Sequence, residues 1–217
     1  MSSQDFSAMR AAMVSSQLRT NSVSDPRVVA AVEAVAREKF VPAARMALAY
    51  VDIPIPLGGG RSLNAPLVTA RLITETRLKA GDKVLVIGGA TGYAAALIAA
   101  LIGAVTAVEE DVALVAHAKT AIGDDPRVSL VTGPLNAGWA PGAPYDVIIF
   151  DGAIDHVPDA IWNQLVDGGV LATGLVDQGL TRLALGNAAG KGHGLVAFAD
   201  AETAILPGFA APRGFSF

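Results

Sequence analysis

The sequence predicts an α/β fold, a doubly wound and mostly parallel sheet with an N-terminal helical extension. Three observations carry that expectation. The 217 residues are 52% hydrophobic but only 6% aromatic, so the apolar content is chiefly Ala, Val, Leu and Ile, the mixture of buried parallel strands and the helices packed on them. Charged residues make up 17%, below the ~25% of an average soluble protein, which sets aside intrinsic disorder and leaves a large core. From residue 84 onward, β-branched runs alternate with apolar helical stretches at strand and helix lengths. At ~150 residues per domain, residues 1–217 are expected to form a single domain, with helices and a loop over 1–80 and an α/β core over 81–217.

Each element has a local reason. Phe6, Met9, Met13 and Leu18 recur at helical spacing, which predicts a helix over 5–20. Asp25 followed by Pro26 is a cap and first-turn signal for a second helix through RVVAAVEAVA. The stretch FVPAARMALAYVDIPIPLGGGRS is rich in Pro and Gly and is expected to be an ordered loop without regular elements. A helix follows from Pro66, its apolar face carried by Leu67, Ala70, Leu72, Ile73 and Leu78. Then come strand 84–87, helix 92–102, strand 104–109, helix 111–121, strands 128–132 and 145–150, helix 158–166 and strand 169–175. LTRLALGNAAG and GLVAFADAETAIL are expected to add antiparallel strands.

Composition narrows the chemistry. Cysteine is absent, which removes disulfides, thiolate metal sites and Cys nucleophiles. His117, His156 and His193 are too dispersed to form a helical metal pair, so no metal is expected. Residues 1–83 carry 11 Lys/Arg against 7 Asp/Glu and residues 84–217 carry 5 against 13, a mild asymmetry best read as solvated helix faces; no nucleic-acid partner is expected. The 25 uncharged residues Val84 to Val108 could span a bilayer by length. Their glycine breaks and changes of period instead read as strand, turn, helix, turn, strand, and no membrane association is expected. MSSQDFSAMR has no apolar stretch of secretory type, so the protein is expected in the cytoplasm. Trp139 and Trp162 are expected to be packing residues.

The most informative feature is the loop Gly88, Gly89, Ala90, Thr91, Gly92, between a strand and a helix, where backbone N–H groups and the helix dipole can meet a polar or anionic ligand. Glu109 ends the next strand, where a carboxylate can accept hydrogen bonds from both hydroxyls of a ribose. Together they imply a nucleotide-like ligand at the carboxyl edge of the sheet. The dinucleotide fingerprint is broken, since Ala90 and Tyr93 stand at its second and third glycines, and no Gly-Lys-Ser/Thr follows for a P-loop. The G-x-x-x-G turn that remains is common in S-adenosylmethionine methyltransferases.

Nearly the whole chain resembles the protein-L-isoaspartate O-methyltransferases. DPRVVAAVEAVAREKFVP at 25–42 resembles the family's N-terminal helix and R-E-x-F-V-P segment. Ala49, Tyr50, Asp52, Pro54 and Pro56 follow its A-Y-x-D-x-P-x-P, and GGGRSLNAP at 58–66 its G-x-G-x-T-I-S-x-P loop. VLVIGGATGY resembles V-L-E-I-G-T-G-S-G-Y, and AVEED contains the ribose-binding acid as Glu109. PYDVII and QLVDGG match the later strand and turn. The resemblance implies a Rossmann-like methyltransferase fold with S-adenosylmethionine as methyl donor. It implies as acceptor the free carboxylate of isoaspartyl residues in a peptide or protein, an activity of protein repair. A carboxylate is already ionised at neutral pH, so neither a His base nor a Cys nucleophile is required, and alignment with exclusion of water can supply the catalysis.

By this resemblance the cofactor-binding residues are Gly88, Gly89, Ala90, Thr91, Gly92 and Glu109, and the catalytic loop contributes Ser62 and Asn64. The chain departs from the family pattern at several of its polar positions. Asn64 stands where the family carries Ser, Ser62 at its Thr, Val86 at the acid ending the first core strand, Ala90 at the middle glycine, Pro134 at an Asp after the third core strand, and Thr181 at the Gln of a Q-x-L segment. Asp151 stands where a small or hydroxyl residue is usual and is expected to be a surface turn residue. Two other functions fit these departures: a catalytically degenerate binding or regulatory protein, and a methyltransferase for a different acceptor.

Overall fold

A computed structural model describes residues 5–189 and 192–210. The chain opens with α1 (Phe6–Met13), capped by the Asp5 carboxylate on the Ala8 N–H, and continues through a π turn (Val14–Leu18) and a 3-10 turn (Arg19–Asn21). Helix α2 (Pro26–Ala34) starts where Asp25 accepts from the Arg27 N–H and Pro26 fills the first turn. The expected irregular loop is more ordered than its composition suggests. It holds two 3-10 turns (Arg37–Phe40, Ala43–Leu48) and a small antiparallel hairpin, β1 (Ile55–Gly58) with β2 (Arg61–Leu63). Gly58, Gly59 and Gly60 make its turn at φ of +99°, +56° and +76°, so the glycines that argued against a strand are what permits the hairpin.

Helix α3 (Pro66–Thr76) leads to the alternating core: β3 (Val84–Ile87), α4 (Tyr93–Ile102), β4 (Val105–Glu109), α5 (Val112–Ile122), β5 (Val128–Thr132), β6 (Tyr145–Ile154), α6 (Asp159–Trp162), β7 (Leu165–Asp177), β8 (Leu180–Asn187) and β9 (Leu195–Asp200). The expected helix over 158–166 is a single turn, because β7 begins at Leu165 and pairs back to Tyr145. Strand β6 runs beyond the expected 150, to Ile154, with a register irregularity against β7 between Ile149 and Ala153. The seven strands lie in the order β5-β4-β3-β6-β7-β8-β9, parallel through β7 and antiparallel at β8 and β9.

Alternate residues of β3 feed two cores, as the period of a strand requires. Val84 and Val86 join the N-terminal helices and α4 in one cluster, while Leu85 and Ile87 join Val108, Phe150, Leu171, Leu206 and Phe209 in another on the opposite face. Successive crossovers from β3 run towards β5 on one side, and the chain returns to β6 on the other. The carboxyl ends of β3 and β6 therefore flank the topological switch point, where open α/β sheets hold their ligands. The apolar run at 84–108 is β3, α4 and β4, and among the described residues no helix is long and apolar enough to cross a membrane. Trp162 is buried and stacks on His193 at 4.7 Å, and Trp139 packs against the second cluster. The terminal APRGFSF lies outside the described residues.

Candidate active site

Four chain segments meet at the switch point. The first is the glycine loop after β3. Gly88 and Gly89 both donate their N–H groups to the Val108 carbonyl at 3.1 Å, Ala90 donates to Glu109 Oε2 at 2.8 Å, and Gly92 donates to the Gly89 carbonyl at 2.8 Å. These four N–H groups are engaged within the protein rather than presented to a ligand. Ala90 holds φ at +47°, a conformation that costs an L-residue roughly 1 kcal/mol and a glycine nothing. Thr91 is fully buried and donates its hydroxyl to the Phe40 carbonyl at 2.6 Å. That bond pins the R-E-x-F-V-P segment to the loop.

The second segment is the end of β4. Glu109 is 3% exposed, and both oxygens are occupied. Arg61 of the hairpin grips them with two parallel bonds, Nη1 to Oε1 at 2.5 Å and Nη2 to Oε2 at 2.9 Å. The N–H groups of Glu110 and Asp111 add 2.9 and 3.1 Å contacts to Oε1. The acid expected to meet ribose hydroxyls is thus the hub of a buried ion pair, and its partner Arg61 carried no signal in the sequence.

The third segment is the hairpin and the residues after it. Ser62 lies on β2 opposite Pro56, half-buried. Asn64 is fully buried and bridges three elements: its Nδ2 donates to Asp151 Oδ1 at 2.9 Å, its Oδ1 accepts the Ala204 N–H at 2.8 Å, and its backbone carbonyl accepts Arg37 Nη2 at 2.5 Å. Arg37 is buried, donates Nε to the Ala49 carbonyl at 2.8 Å, and lies 4.5 Å over the Tyr93 ring. Asp151 is the principal correction to the expected site. It is 4% exposed within β6, not a surface turn residue, and its Oδ1 also accepts the Thr69 hydroxyl at 3.1 Å. Strand β6 continues past the expected residue 150, and Asn64 and Thr69 of α3 bond the Asp151 carboxylate.

Burial pushes the Asp151 carboxyl above its ordinary range, against the lowering effect of the Asn64 and Thr69 bonds and of the Arg37 and Arg61 charges. The folded form therefore binds this proton more tightly than the unfolded chain. Stability falls as pH rises from the unfolded value, ~4, through the raised folded value, and is level above it. Asp151→Asn is expected to be more stable than the parent at pH 7, with the advantage shrinking as pH approaches ~4. Paired urea melts across that range check this; parallel pH profiles would refute it.

The fourth segment is 203–209. The Ala153 N–H donates to the Ala204 carbonyl at 2.7 Å and the Leu206 N–H to the Ala153 carbonyl at 2.8 Å, so the segment runs beside the end of β6. A Cβ built on Gly88 would lie 2.7 Å from Leu206 Cδ2, and one on Gly152 would strike the same side chain and come within 2.8 Å of the Ala204 carbonyl. Leu206 is 3% exposed. It is part of the second apolar cluster, with Leu85, Ile87, Val108, Phe150 and Phe209.

Of the other departures, Val86 is fully buried among apolar residues and Pro134 precedes the 3-10 turn at Leu135–Ala137. Thr181 Oγ1 accepts the Thr203 N–H at 3.2 Å and donates to the Ala201 carbonyl. Among the described residues no cluster of His, Cys, Asp or Glu could hold a metal.

Comparison with known proteins settles the lineage. The family model described as protein-L-isoaspartate(D-aspartate) O-methyltransferase matches residues 9–192. The chain belongs to that family. Its enzyme class is the S-adenosylmethionine-dependent carboxyl methyltransferases. Protein-L-isoaspartate O-methyltransferase 1 of Rhodopseudomonas palustris (strain HaA2) is 39% identical over 184 residues, 82% of this chain and 74% of that protein. The enzyme of Methylorubrum populi is 38% identical over 165 residues, 76% of this chain and 78% of its own. In fold, the chain aligns with a solved protein-L-isoaspartate O-methyltransferase at TM-score 0.81 and 24% identity, covering 92% of this chain and 66% of that one. It aligns with a Plasmodium falciparum structure, described as a putative member in complex with S-adenosyl-L-homocysteine, at TM-score 0.78 and 16% identity, covering 94% of this chain and 99% of that one.

The family's methyl donor is S-adenosylmethionine, and in the arrangement described the donor-side residues are bonded within the protein. The Glu109 carboxylate is bonded by Arg61 and by three backbone N–H groups.

Proposed function

We propose that the chain is a protein-L-isoaspartate O-methyltransferase whose acceptor is an isoaspartyl carboxylate in a peptide or protein and whose donor is S-adenosylmethionine. One observation carries the acceptor side: the Asn64 amide, at the family's catalytic-loop position, already donates to a carboxylate, that of Asp151. An Asn side chain has two N–H donors and one carbonyl. Here the carbonyl faces the Ala204 N–H, so the amide presents its donors, not its oxygen, to the carboxylate. Arg37 fixes that orientation by holding the Asn64 backbone. The chain's own contribution is to orient an acceptor carboxylate through hydrogen bonds and to keep it from water in a buried site. Glu109 and the Gly88–Gly92 loop are assigned to the donor side, Ser62 and Asn64 to the acceptor side.

The test is methyl-ester formation on paired synthetic peptides that differ only in an isoaspartyl or an aspartyl link. Labelled, base-labile ester on the isoaspartyl peptide alone is expected. Ester on neither peptide, under conditions where a related enzyme works, would remove this acceptor from the reading.

A further inference from the structure

We propose that Arg61 and the ribose diol of the donor are alternative partners of the Glu109 carboxylate, so that donor binding frees the tip of the β1–β2 hairpin; the proposal rests on the donor-side assignment of Glu109 above. Glu109 Oε1 accepts from Arg61 Nη1 and from the Glu110 and Asp111 N–H groups, and Oε2 accepts from Arg61 Nη2 and the Ala90 N–H. An ionised carboxylate has about four lone-pair sites, so these contacts leave none over. A nucleoside that bonds this acid through its ribose hydroxyls must take sites that are now filled. Arg61 is the partner whose place it can take. A guanidinium fork and a vicinal diol each present two donors side by side, and both suit the two oxygens of one carboxylate.

The other donors cannot leave without unmaking the core. They are backbone N–H groups of the glycine loop and of the turn between β4 and α5, and the Asp111 carboxylate also caps α5. Arg61 comes instead from outside the seven-stranded sheet, on a two-stranded hairpin of its own. The base of that hairpin is fixed, with Ile55 and Leu63 fully buried in the first apolar cluster. Its tip is lightly packed: a Cβ built on Gly58 or Gly60 meets nothing within 4 Å, and one on Gly59 lies 3.7 Å from Asp111 Oδ2. The buried ion pair with Glu109 fastens the tip to the end of β4. Ser62 follows Arg61 directly and Asn64 stands just beyond β2, so a change at the Glu109 carboxylate reaches the acceptor side along one short strand. Arg61 is thereby a positioning residue. It holds the hairpin down until the donor displaces it, and the apparent donor affinity is lowered by the fraction of molecules in which the ion pair is made.

The test titrates the full chain, Arg61→Gln and Arg61→Lys with S-adenosylhomocysteine and with its 2′,3′-dideoxy analogue by calorimetry, and follows amide hydrogen exchange over 58–63 with and without each ligand. Arg61→Gln removes the charged fork and leaves the three N–H donors on Glu109, so S-adenosylhomocysteine is expected to bind it roughly 3- to 10-fold tighter than the parent. The dideoxy analogue has no hydroxyl to trade for Arg61, and its affinity is expected to be the same for both proteins. In the parent, S-adenosylhomocysteine should speed exchange at the hairpin tip and the analogue should not. An Arg61 with a merely structural role would produce neither difference between the ligands. Should Arg61→Gln fail to fold by circular dichroism, Arg61→Lys, which keeps the charge without the fork, decides together with the parent's exchange data. No gain in affinity on loss of Arg61, with the tip still protected in the complex, would overturn the displacement and leave the donor assignment standing. An equal gain for both ligands would do the same. No binding of S-adenosylhomocysteine by any of the three proteins would overturn both.

Discussion

Glu109→Ala is expected to lower stability by about 3–5 kcal/mol, since it strands a buried guanidinium and three N–H groups at once. For a chain of this size that is a fall in Tm on the order of 10 °C. Arg61→Ala removes the same ion pair from the other end, yet the carboxylate keeps the N–H donors of Ala90, Glu110 and Asp111. Its cost is expected to be smaller, about 1–3 kcal/mol. The order matters more than either value. If Glu109 were a free ligand-binding acid with no structural duty, its removal would be near neutral and Arg61→Ala the worse change. Urea melts of both variants at pH 7 decide between these outcomes.

Arg37→Ala is expected to cost about 3 kcal/mol and to loosen the 58–66 loop. The guanidinium supplies charge-assisted bonds to two buried carbonyls, Ala49 and Asn64, and a face-on contact with Tyr93. Part of the loss is offset, because burial disfavours its charge and Nη1 has no partner. Arg37→Lys keeps the charge but not the planar fork that spans two carbonyls, so it should fall between the parent and Arg37→Ala. Limited proteolysis within 58–66 gives the readout specific to the loop: faster cleavage in both variants is expected, and unchanged cleavage with lowered stability would mean that Arg37 supports the core without positioning Asn64.

The candidate site was only partly legible in the sequence. Glu109 and the glycines could be placed at the carboxyl edge of the sheet because that position depends on neighbours close along the chain: a strand end, a turn and a helix start. Asn64 could be placed by its motif. Arg61 could not, since nothing local marks it as the partner of an acid 48 residues away. Asp151 was misplaced for the same reason, its partner Asn64 lying 87 residues off. Leu206 was expected at the end of an antiparallel strand, but β9 stops at Asp200 and the following residues instead run beside β6, with Leu206 in the second apolar cluster. The hairpin β1–β2 was missed because glycine and proline weaken strand propensity, whereas its register is set by the turn and by burial of Ile55 and Leu63.

The sequence by itself determined the alternation of strands and helices, the parallel core, the glycine loop with its acid and the family of the chain. These follow from period, turn chemistry and short motifs, whose physics is complete within a few residues. The tertiary structure decided which groups those motif residues meet: Arg61 on Glu109, Asp151 on Asn64, and Leu206 against Gly88 and Gly152. Such contacts join segments far apart along the chain, and their energies exist only once burial has removed the water that would otherwise satisfy each group alone.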